Sequence, residues 1–259
     1  MAQNHEHLSE WQALETGGGR VTGNEVRRFI LPPSPTGYAD AQIDDYGRQT
    51  AGSAPHFRHQ PELALRLRAR FSHDANALLG TAGFGFWNAP YGDPRTRRLA
   101  LPAATWFFFA SPPNNLPFGP EPDGRGWFAA TLDATTPRAL ALAPFAPAVL
   151  ALNQVTALRQ RVWPAVRRGL SISAARLSAD LREWREYRLE WRAGGCRFLV
   201  DGDVALETAH SPRGPLGFVC WLDNQYLVAT ARGRFRAGTL SLAAEQWMEV
   251  VGLAIEQLD

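Results

Sequence analysis

The sequence predicts an all-β protein, an antiparallel β-sandwich interrupted by a helical insertion. Short segments in which apolar and polar residues alternate recur along most of the 259 residues, with turn-forming residues between them. An Asp-Gly pair at 201–202, between two apolar runs, is typical of a β-hairpin. Only the region from 137 to 183 has a helical period. The length suits one large domain, which we expect over residues 21–259.

The chain begins with an expected arm and two strands. Residues 1–20 end in three glycines and are expected to be flexible. A strand over 25–31 stops at two prolines, which cannot donate to a ladder. The strand over 38–46 alternates so that one side is polar and aromatic, as a ligand-binding face would be. That side carries Tyr38, Asp40, Gln42, Asp44 and Tyr46.

Further strands flank the helical insertion. The segment Leu63–Phe71 alternates apolar and basic residues, which predicts one face in the core and one in water. Residues 126–133 form another predicted strand. Within the insertion, Pro147–Leu170 is predicted to be a helix kinked at Pro164, and 174–183 a second helix. Two hypotheses remain open for the insertion: a lid over a binding site, or a cap on a sheet edge.

The last third of the chain carries four more predicted strands, at 186–191, 197–203, 215–226 and 246–256. Tyr187 and Trp191 fit a Tyr-x-x-x-Trp strand, and Phe198–Gly202 fits an aromatic-x-Val-Asp-Gly hairpin. This order resembles the concanavalin A-like lectin/glucanase superfamily, especially family 16 glycoside hydrolases. The resemblance covers about residues 60–256 and implies a jelly-roll sandwich.

The resemblance also shows what is missing. In family 16, a Gly-aromatic-Trp strand, which Gly83–Asn88 resembles, comes before a strand bearing Glu-x-Asp-x-x-Glu. Here the second strand is Ala104–Ser111, which has no carboxylate. Its alternation predicts that Trp106 and Phe108 face a cleft, while residues 105, 107 and 109 lie in the core. A retaining glycosidase needs two carboxyl groups about 5 Å apart. We therefore expect no hydrolysis of β-1,3 or β-1,4 glucans.

Composition excludes several classes of function. All 27 basic residues are arginine, which rules out a Schiff-base lysine, a pyridoxal phosphate anchor and a P-loop lysine. Net charge is +2 with both signs interspersed, which predicts no nucleic-acid or membrane-surface partner. The sequence has no export signal and no apolar run of membrane-spanning length, so we expect a cytoplasmic protein.

Metal and nucleophile motifs are weak. His56 and His59 form a close histidine pair in a loop, but no metal or cofactor is expected. Asp201 and Asp203 are interpreted as part of a hairpin turn rather than as calcium ligands. The two cysteines, Cys196 and Cys220, are predicted to be reduced core residues, although pairing between neighbouring strands stays open.

Aromatic residues on predicted neighbouring strands, together with a few polar groups, form the candidate site. The expected ligand-binding residues are Tyr38, Gln42, Trp87, Asn88, Trp106, Phe108, Trp127, Trp221, Asn224 and Tyr226. The candidate acid/base residues are Asp44 and Asp223, because apolar surroundings favour the neutral form of a carboxyl group.

Three functional hypotheses follow. The first is a non-hydrolytic protein that binds a glycan or a compact hydrophobic molecule in an aromatic-lined cleft. The second is an enzyme that uses Asp44 or Asp223: a lyase, isomerase or cyclase acting on an apolar substrate, or an atypical glycoside hydrolase. The third is a partner-binding sandwich, in which the helix of the insertion offers its apolar stripe to another chain.

Overall fold

The computed structural model describes residues 11–47, 56–90, 100–117 and 124–258. In these parts of the chain, fourteen strands form two seven-stranded sheets, and all neighbours within each sheet are antiparallel. Both sheets take strands from the two ends of the chain, so their pairing is mostly long-range.

The first sheet consists, from edge to edge, of β1 (Gln12–Thr16), β4 (Asp40–Asp44), β13 (Gly217–Asp223), β6 (Thr81–Trp87), β7 (Ala103–Ala110), β8 (Gly126–Asp133) and β9 (Ser173–Arg176). The second sheet consists of β12 (Asp203–Thr208), β11 (Gly195–Val200), β10 (Arg185–Arg192), β5 (Leu63–Phe71), β16 (Gln246–Gln257), β3 (Val26–Leu31) and β2 (Arg20–Thr22). A separate hairpin pairs β14 (Gln225–Ala229) with β15 (Phe235–Thr239).

The core lies between the two sheets. Alternate residues of each strand point inward, so Phe84 and Phe107 of the first sheet meet Tyr187 and Phe198 of the second. Ring centroids in these contacts lie 5.0–5.3 Å apart. The predicted all-β sandwich is thus confirmed, and large aromatic side chains fill much of its core.

Two of the predicted elements outside the insertion are wrong in part. The expected arm over 1–20 contains β1, which pairs along its length with β4, and β2 starts at Arg20; residues 1–10 lie outside the described parts. The strand predicted over 215–226 is two strands, because the chain turns at Asn224. The Asn224 side chain accepts a hydrogen bond from Ala39 N and donates to the carbonyls of Gly37 and Leu240.

The helical insertion is also divided. It contains α1 (Pro137–Leu142), a 3₁₀ turn (Ala143–Phe145), α2 (Ala146–Leu152) and α3 (Thr156–Gly169). The single helix predicted from Pro147 is wrong, because the chain breaks at 153–155. The helix predicted over 174–183 is wrong as well, because residues 173–176 form β9 on the open edge of β8. A free sheet edge overrides a weak helical propensity here.

The insertion and the β14–β15 hairpin leave the first sheet at opposite ends. The insertion follows the end of β8 at Asp133, while the hairpin follows β13 at Asp223. They meet where Asn153 Nδ2 donates to the Ala231 carbonyl (2.8 Å) and Gln154 Nε2 to the Arg232 carbonyl (3.0 Å). The two segments, residues 137–169 and 225–239, therefore span the length of the sheet; we call them the arch.

Candidate functional site

β7 divides its residues between two surfaces. Phe107 and Phe109 are buried between the sheets, whereas Trp106 and Phe108 belong to a second apolar cluster on the outer face of the first sheet. Thr105 lies on the core side, where its hydroxyl donates to Cys196 Sγ at 3.5 Å. The alternation predicted from the sequence is confirmed, and β7 brings no carboxylate to its outer side.

Four rings form the centre of the outer face: Trp87, Trp106, Phe108 and Trp221, which we call the aromatic cluster. Trp87 and Trp221 are parallel within 3°, with centroids 6.0 Å apart. Trp106 lies 5.6 Å from Trp87, 5.4 Å from Phe108 and 5.8 Å from Trp221. Trp106 and Trp221 are each only 5% exposed, whereas Trp87 is half-buried. Trp87 is therefore the ring of the cluster that a ligand reaches first.

Two glycines of β6 make space for these rings. Gly83 and Gly85 face the same side of the sheet as Trp87, because side chains alternate along a strand. A Cβ at Gly83 would lie 2.8 Å from the Trp221 ring, and one at Gly85 would lie 2.6 Å from Trp106 Cβ. The rings of the two neighbouring strands thus lie over a strand that carries no side chain at these positions.

Polar residues of β4 stand beside the cluster on the same face. In the register of β4 with β13, Gln42 is opposite Trp221 and Asp40 is opposite Asp223. We call Asp40, Gln42 and Asp44 the polar column. The sequence placed Asp40 on the polar and aromatic side of this strand, but Asp40 was not among the candidate site residues. Its signal was present, since it shares the two-residue spacing of Gln42 and Asp44.

Asp223 is the best-defined acid of the site. Its Oδ1 accepts hydrogen bonds from Thr81 Oγ1 (2.8 Å), Thr81 N (3.2 Å) and Gln225 N (3.0 Å). Thr81 Oγ1 in turn accepts from Trp221 Nε1 at 3.0 Å. Burial raises the pKa of the Asp223 carboxyl to about 6, although these hydrogen bonds favour its charged form. Oδ2 receives no hydrogen bond from the described residues and is not fully enclosed, so it remains open to the face.

Asp44 is held within the sheet. Gln42 Nε2 donates to its Oδ2 at 2.8 Å, and Tyr46 N donates to its Oδ1 at 3.2 Å. The Tyr46 hydroxyl accepts a hydrogen bond from Trp87 Nε1. Asp44 is fully buried, so it fixes Gln42 and the Tyr46 backbone more directly than it contacts a ligand.

Tyr38 lies near Asp223 and Asp40, at the end of the polar column. Burial raises the pKa of its phenol, and the negative charges of Asp223 and Asp40 raise it further. The phenol therefore stays neutral at any physiological pH. It lies where it could donate a hydrogen bond to a carboxylate or to a ligand oxygen.

Several predicted ligand residues lie elsewhere. The prediction that Trp127 binds the ligand is wrong, because Trp127 packs between the sheets against Phe71 and Phe84, on the opposite side from the aromatic cluster. The side chain of Asn224 makes its hydrogen bonds within the turn that follows β13. Asn88 joins its own strand to the next loop, donating to the Leu101 carbonyl and accepting from Ala103 N. Tyr226 lies in the arch, under Arg236.

One polar atom of the cluster is left over. Trp106 Nε1 is buried and has no hydrogen-bond partner among the described residues, in contrast to the indole nitrogens of Trp87 and Trp221. A buried N–H without an acceptor costs about 1–3 kcal/mol. An acceptor oxygen on a bound molecule would remove this cost.

Metal and thiol chemistry gain no support. The described residues contain no group of three or more His, Cys, Asp or Glu that could hold a metal ion. His59 Nε2 instead contacts the buried Asp45, whose Oδ1 accepts from Phe218 N at 2.8 Å. Cys196 and Cys220 are free and buried, one in each sheet. None of the described helices has the length and apolar character needed to cross a bilayer.

Solved structures with this fold are detectable, but relatives by sequence are not: no protein-family model and no curated protein matches the chain. The legume lectin-like domain from Entamoeba histolytica matches 97% of this chain and 91% of its own, at 7% identity and a TM-score of 0.49. A glycosyl hydrolase family 16 protein from Mycobacterium smegmatis matches 94% and 92%, at 12% identity and 0.42. A sialidase matches 98% of this chain, which spans only 17% of the sialidase, at 7% identity and 0.44. The resemblance inferred from the sequence thus agrees with the kinds of structure found, each at low identity and at a TM-score below 0.5.

Proposed function

We propose that the outer face of the first sheet binds a saccharide without the two-carboxylate hydrolysis of family 16. The observation that carries the proposal is the juxtaposition of the aromatic cluster with Asp223 and the polar column on one face. A pyranose ring has apolar faces and a hydroxyl-lined edge. Aromatic rings contact the former, and carboxylate and amide groups hydrogen-bond the latter.

The polar groups favour a saccharide over a wholly hydrophobic ligand. A hydrocarbon over Trp87 and Trp221 would desolvate Asp223 Oδ2 and return no hydrogen bond. Hydroxyl groups would donate to that oxygen and accept from Trp106 Nε1. A compact hydrophobic molecule remains the competing ligand of the same site, favoured by the burial of Trp106 and Trp221.

The absence of hydrolysis follows from β7. The outward positions of this strand are occupied by Ala104, Trp106, Phe108 and Ala110, which can neither protonate a leaving group nor attack an anomeric carbon. The proposed site is therefore a binding face at the strand where the resemblance to family 16 would place the catalytic carboxylates.

Acid/base catalysis is the second candidate, favoured by one observation on Asp223. A carboxyl group with a pKa of about 6 exchanges protons near neutral pH, and its Oδ2 is open. Such a group would suit a lyase, an isomerase, a cyclase or an atypical glycoside hydrolase. Asp44, the other predicted acid, is enclosed and hydrogen-bonded to Gln42, so it would act by positioning.

Titration by intrinsic tryptophan fluorescence tests the proposal. The ligands are neutral and acidic trisaccharides, with 1-anilinonaphthalene-8-sulfonate as the apolar competitor. We expect one saccharide class to bind and Trp87→Ala to weaken it about tenfold, the equivalent of roughly 1.4 kcal/mol. Trp184→Ala is the matched control, because this half-buried Trp lies against Arg68 and Arg70 of the second sheet.

If only the apolar probe binds and Trp87→Ala abolishes this binding, the ligand of the site is a hydrophobic molecule and not a saccharide. Chromatography of the incubated saccharides separates binding from catalysis. New products that form with the parent protein and not with Asp223→Asn would establish the acid/base alternative.

A further inference from the structure

The arch carries most of the large apolar side chains that the structure leaves in solvent. Phe145 is 62% exposed and Phe235 is 70% exposed. Five more belong to the same surface: Leu140, Leu150, Leu152, Val155 and Leu158. Isolated exposed apolar residues are ordinary, but seven on the two joined segments of the arch mark an interaction surface.

This surface is also strongly basic. The arch contains eight of the 27 arginines and none of the 25 acidic residues. The remaining 19 arginines share the rest of the chain with every acidic residue. Five of the eight are exposed: Arg138, Arg161, Arg168, Arg234 and Arg236. The overall net charge of +2 therefore conceals a cationic arch on an anionic body.

The hydrogen bonds of the arch place both segments on one body. Asn153 and Gln154 bond the turn of the hairpin, and Phe235 begins the strand that leaves this turn. Arg159 is buried under the same junction, where its Nη1 donates to the Asn153 carbonyl at 3.0 Å. The exposed apolar side chains and the exposed arginines thus lie on two segments that are hydrogen-bonded to each other.

We propose that the arch docks on an anionic lipid membrane, with its apolar side chains in the headgroup region and its arginines on lipid phosphates. Apolar tips surrounded by cations are what an anionic interface binds, because burial of apolar area and electrostatic attraction act together. The apolar residues are dispersed over three short helices and a hairpin instead of forming one stripe. A fluid interface accommodates such a shape, whereas a protein partner would need a matching rigid surface.

Vesicle co-sedimentation of the full chain tests this proposal, with phosphatidylcholine vesicles that contain or lack phosphatidylserine. We expect binding to the anionic vesicles, little binding to phosphatidylcholine alone, and weakening by salt. The Phe145→Ala/Phe235→Ala variant loses affinity at least tenfold. The Arg161→Gln/Arg234→Gln variant also loses about tenfold or more, since each basic residue near an anionic surface contributes roughly fivefold.

Control variants are available on the second sheet. Val204 is 45% exposed and Arg66 is exposed, so Val204→Ala and Arg66→Gln should bind vesicles as the parent protein does. Failure of the parent protein to bind anionic vesicles, or equal binding by the arch variants, overturns the proposal. A dimer in sedimentation equilibrium that Phe145→Ala/Phe235→Ala dissociates would assign the surface to self-association instead. Saccharide binding involves none of these residues and is measured independently.

Discussion

The outward faces of the two sheets obey the same alternation but carry opposite chemistry. On the second sheet, Glu249 lies opposite Arg70 and Arg28 in the strand register, with Arg70 Nε 2.8 Å from its Oε2. Arg70 also lies over the rings of Trp184 and Trp247. The charged groups of this face thus have partners within the face itself. The first sheet has glycines and aromatic rings at the equivalent positions. A β-strand pattern thus defines which side chains share a face, whereas the chemistry of those side chains defines what the face can bind.

The largest expected effect separates the two sides of β7. Phe107→Ala removes a ring that contacts Phe84, Tyr187 and Phe198 in the core. We expect it to lower the free energy of unfolding by about 3 to 5 kcal/mol, measured by urea denaturation. Trp106→Ala should cost less stability and weaken ligand binding more. Equal destabilisation with binding intact would show that the aromatic cluster is only a second core.

The next effect is the pH dependence contributed by Asp223. Its pKa is raised from 3.8 to about 6 on folding, so the native state holds this proton more tightly than the unfolded chain does. Asp223 therefore costs stability as the pH rises through that window, on the order of 3 kcal/mol in full. Relative to Asp223→Asn, the parent protein should lose unfolding free energy as the pH rises from 3.8 to about 6. Above that range the unfolding free energies of the two proteins should differ by a constant amount. A constant difference between the two denaturation series at all pH values would contradict the burial of this acid.

A smaller effect is expected at Gly83. In Gly83→Ala the new methyl group would lie 2.3 Å from the Phe107 carbonyl oxygen of β7 and 2.8 Å from the Trp221 ring, so the β7 backbone and the ring must both move. We expect a loss of about 1 to 3 kcal/mol from overpacking, with a change in near-ultraviolet circular dichroism and weaker ligand binding. Gly202→Ala would be a poor control because of its turn conformation. Gly194→Ala is better, since a Cβ there meets nothing within 4 Å.

The smallest effect belongs to the solvated face. Arg68→Ala removes a guanidinium that lies 5.6 Å from the Trp184 ring centroid. Exposed cation–π pairs contribute about 0.5 to 1 kcal/mol, so we expect a loss of at most that size and unchanged ligand binding. A loss comparable to that of Gly83→Ala would mean that the second outward face also carries a packed structure, and the contrast between the sheets would fail.

The candidate site was predictable in part. The spacing of Trp106 and Phe108 against Phe107 was sufficient to place these two rings on the outer face. The same two-residue period placed the polar column of β4 on one side of its strand. Trp127 was misassigned, because an aromatic residue at a strand position is equally suited to either face until the register is known. Asp40 was missed as a partner of Asp223, since the two are 183 positions apart and meet only through the pairing of β4 with β13.

Local period, turn chemistry and composition thus determined the fold class, the faces of β5 and β7, and the absence of the family 16 acids. Tertiary structure alone decided the division of the insertion into three helices, the conversion of 173–176 into an edge strand, and the meeting of the insertion with the hairpin. The physical reason is that alternation is a property of neighbouring residues. Strand order, edge pairing and the burial that raises the pKa of Asp223 depend on contacts between residues far apart in the chain. The basic, apolar surface of the arch depends on the same contacts, and the net charge of the sequence conceals it.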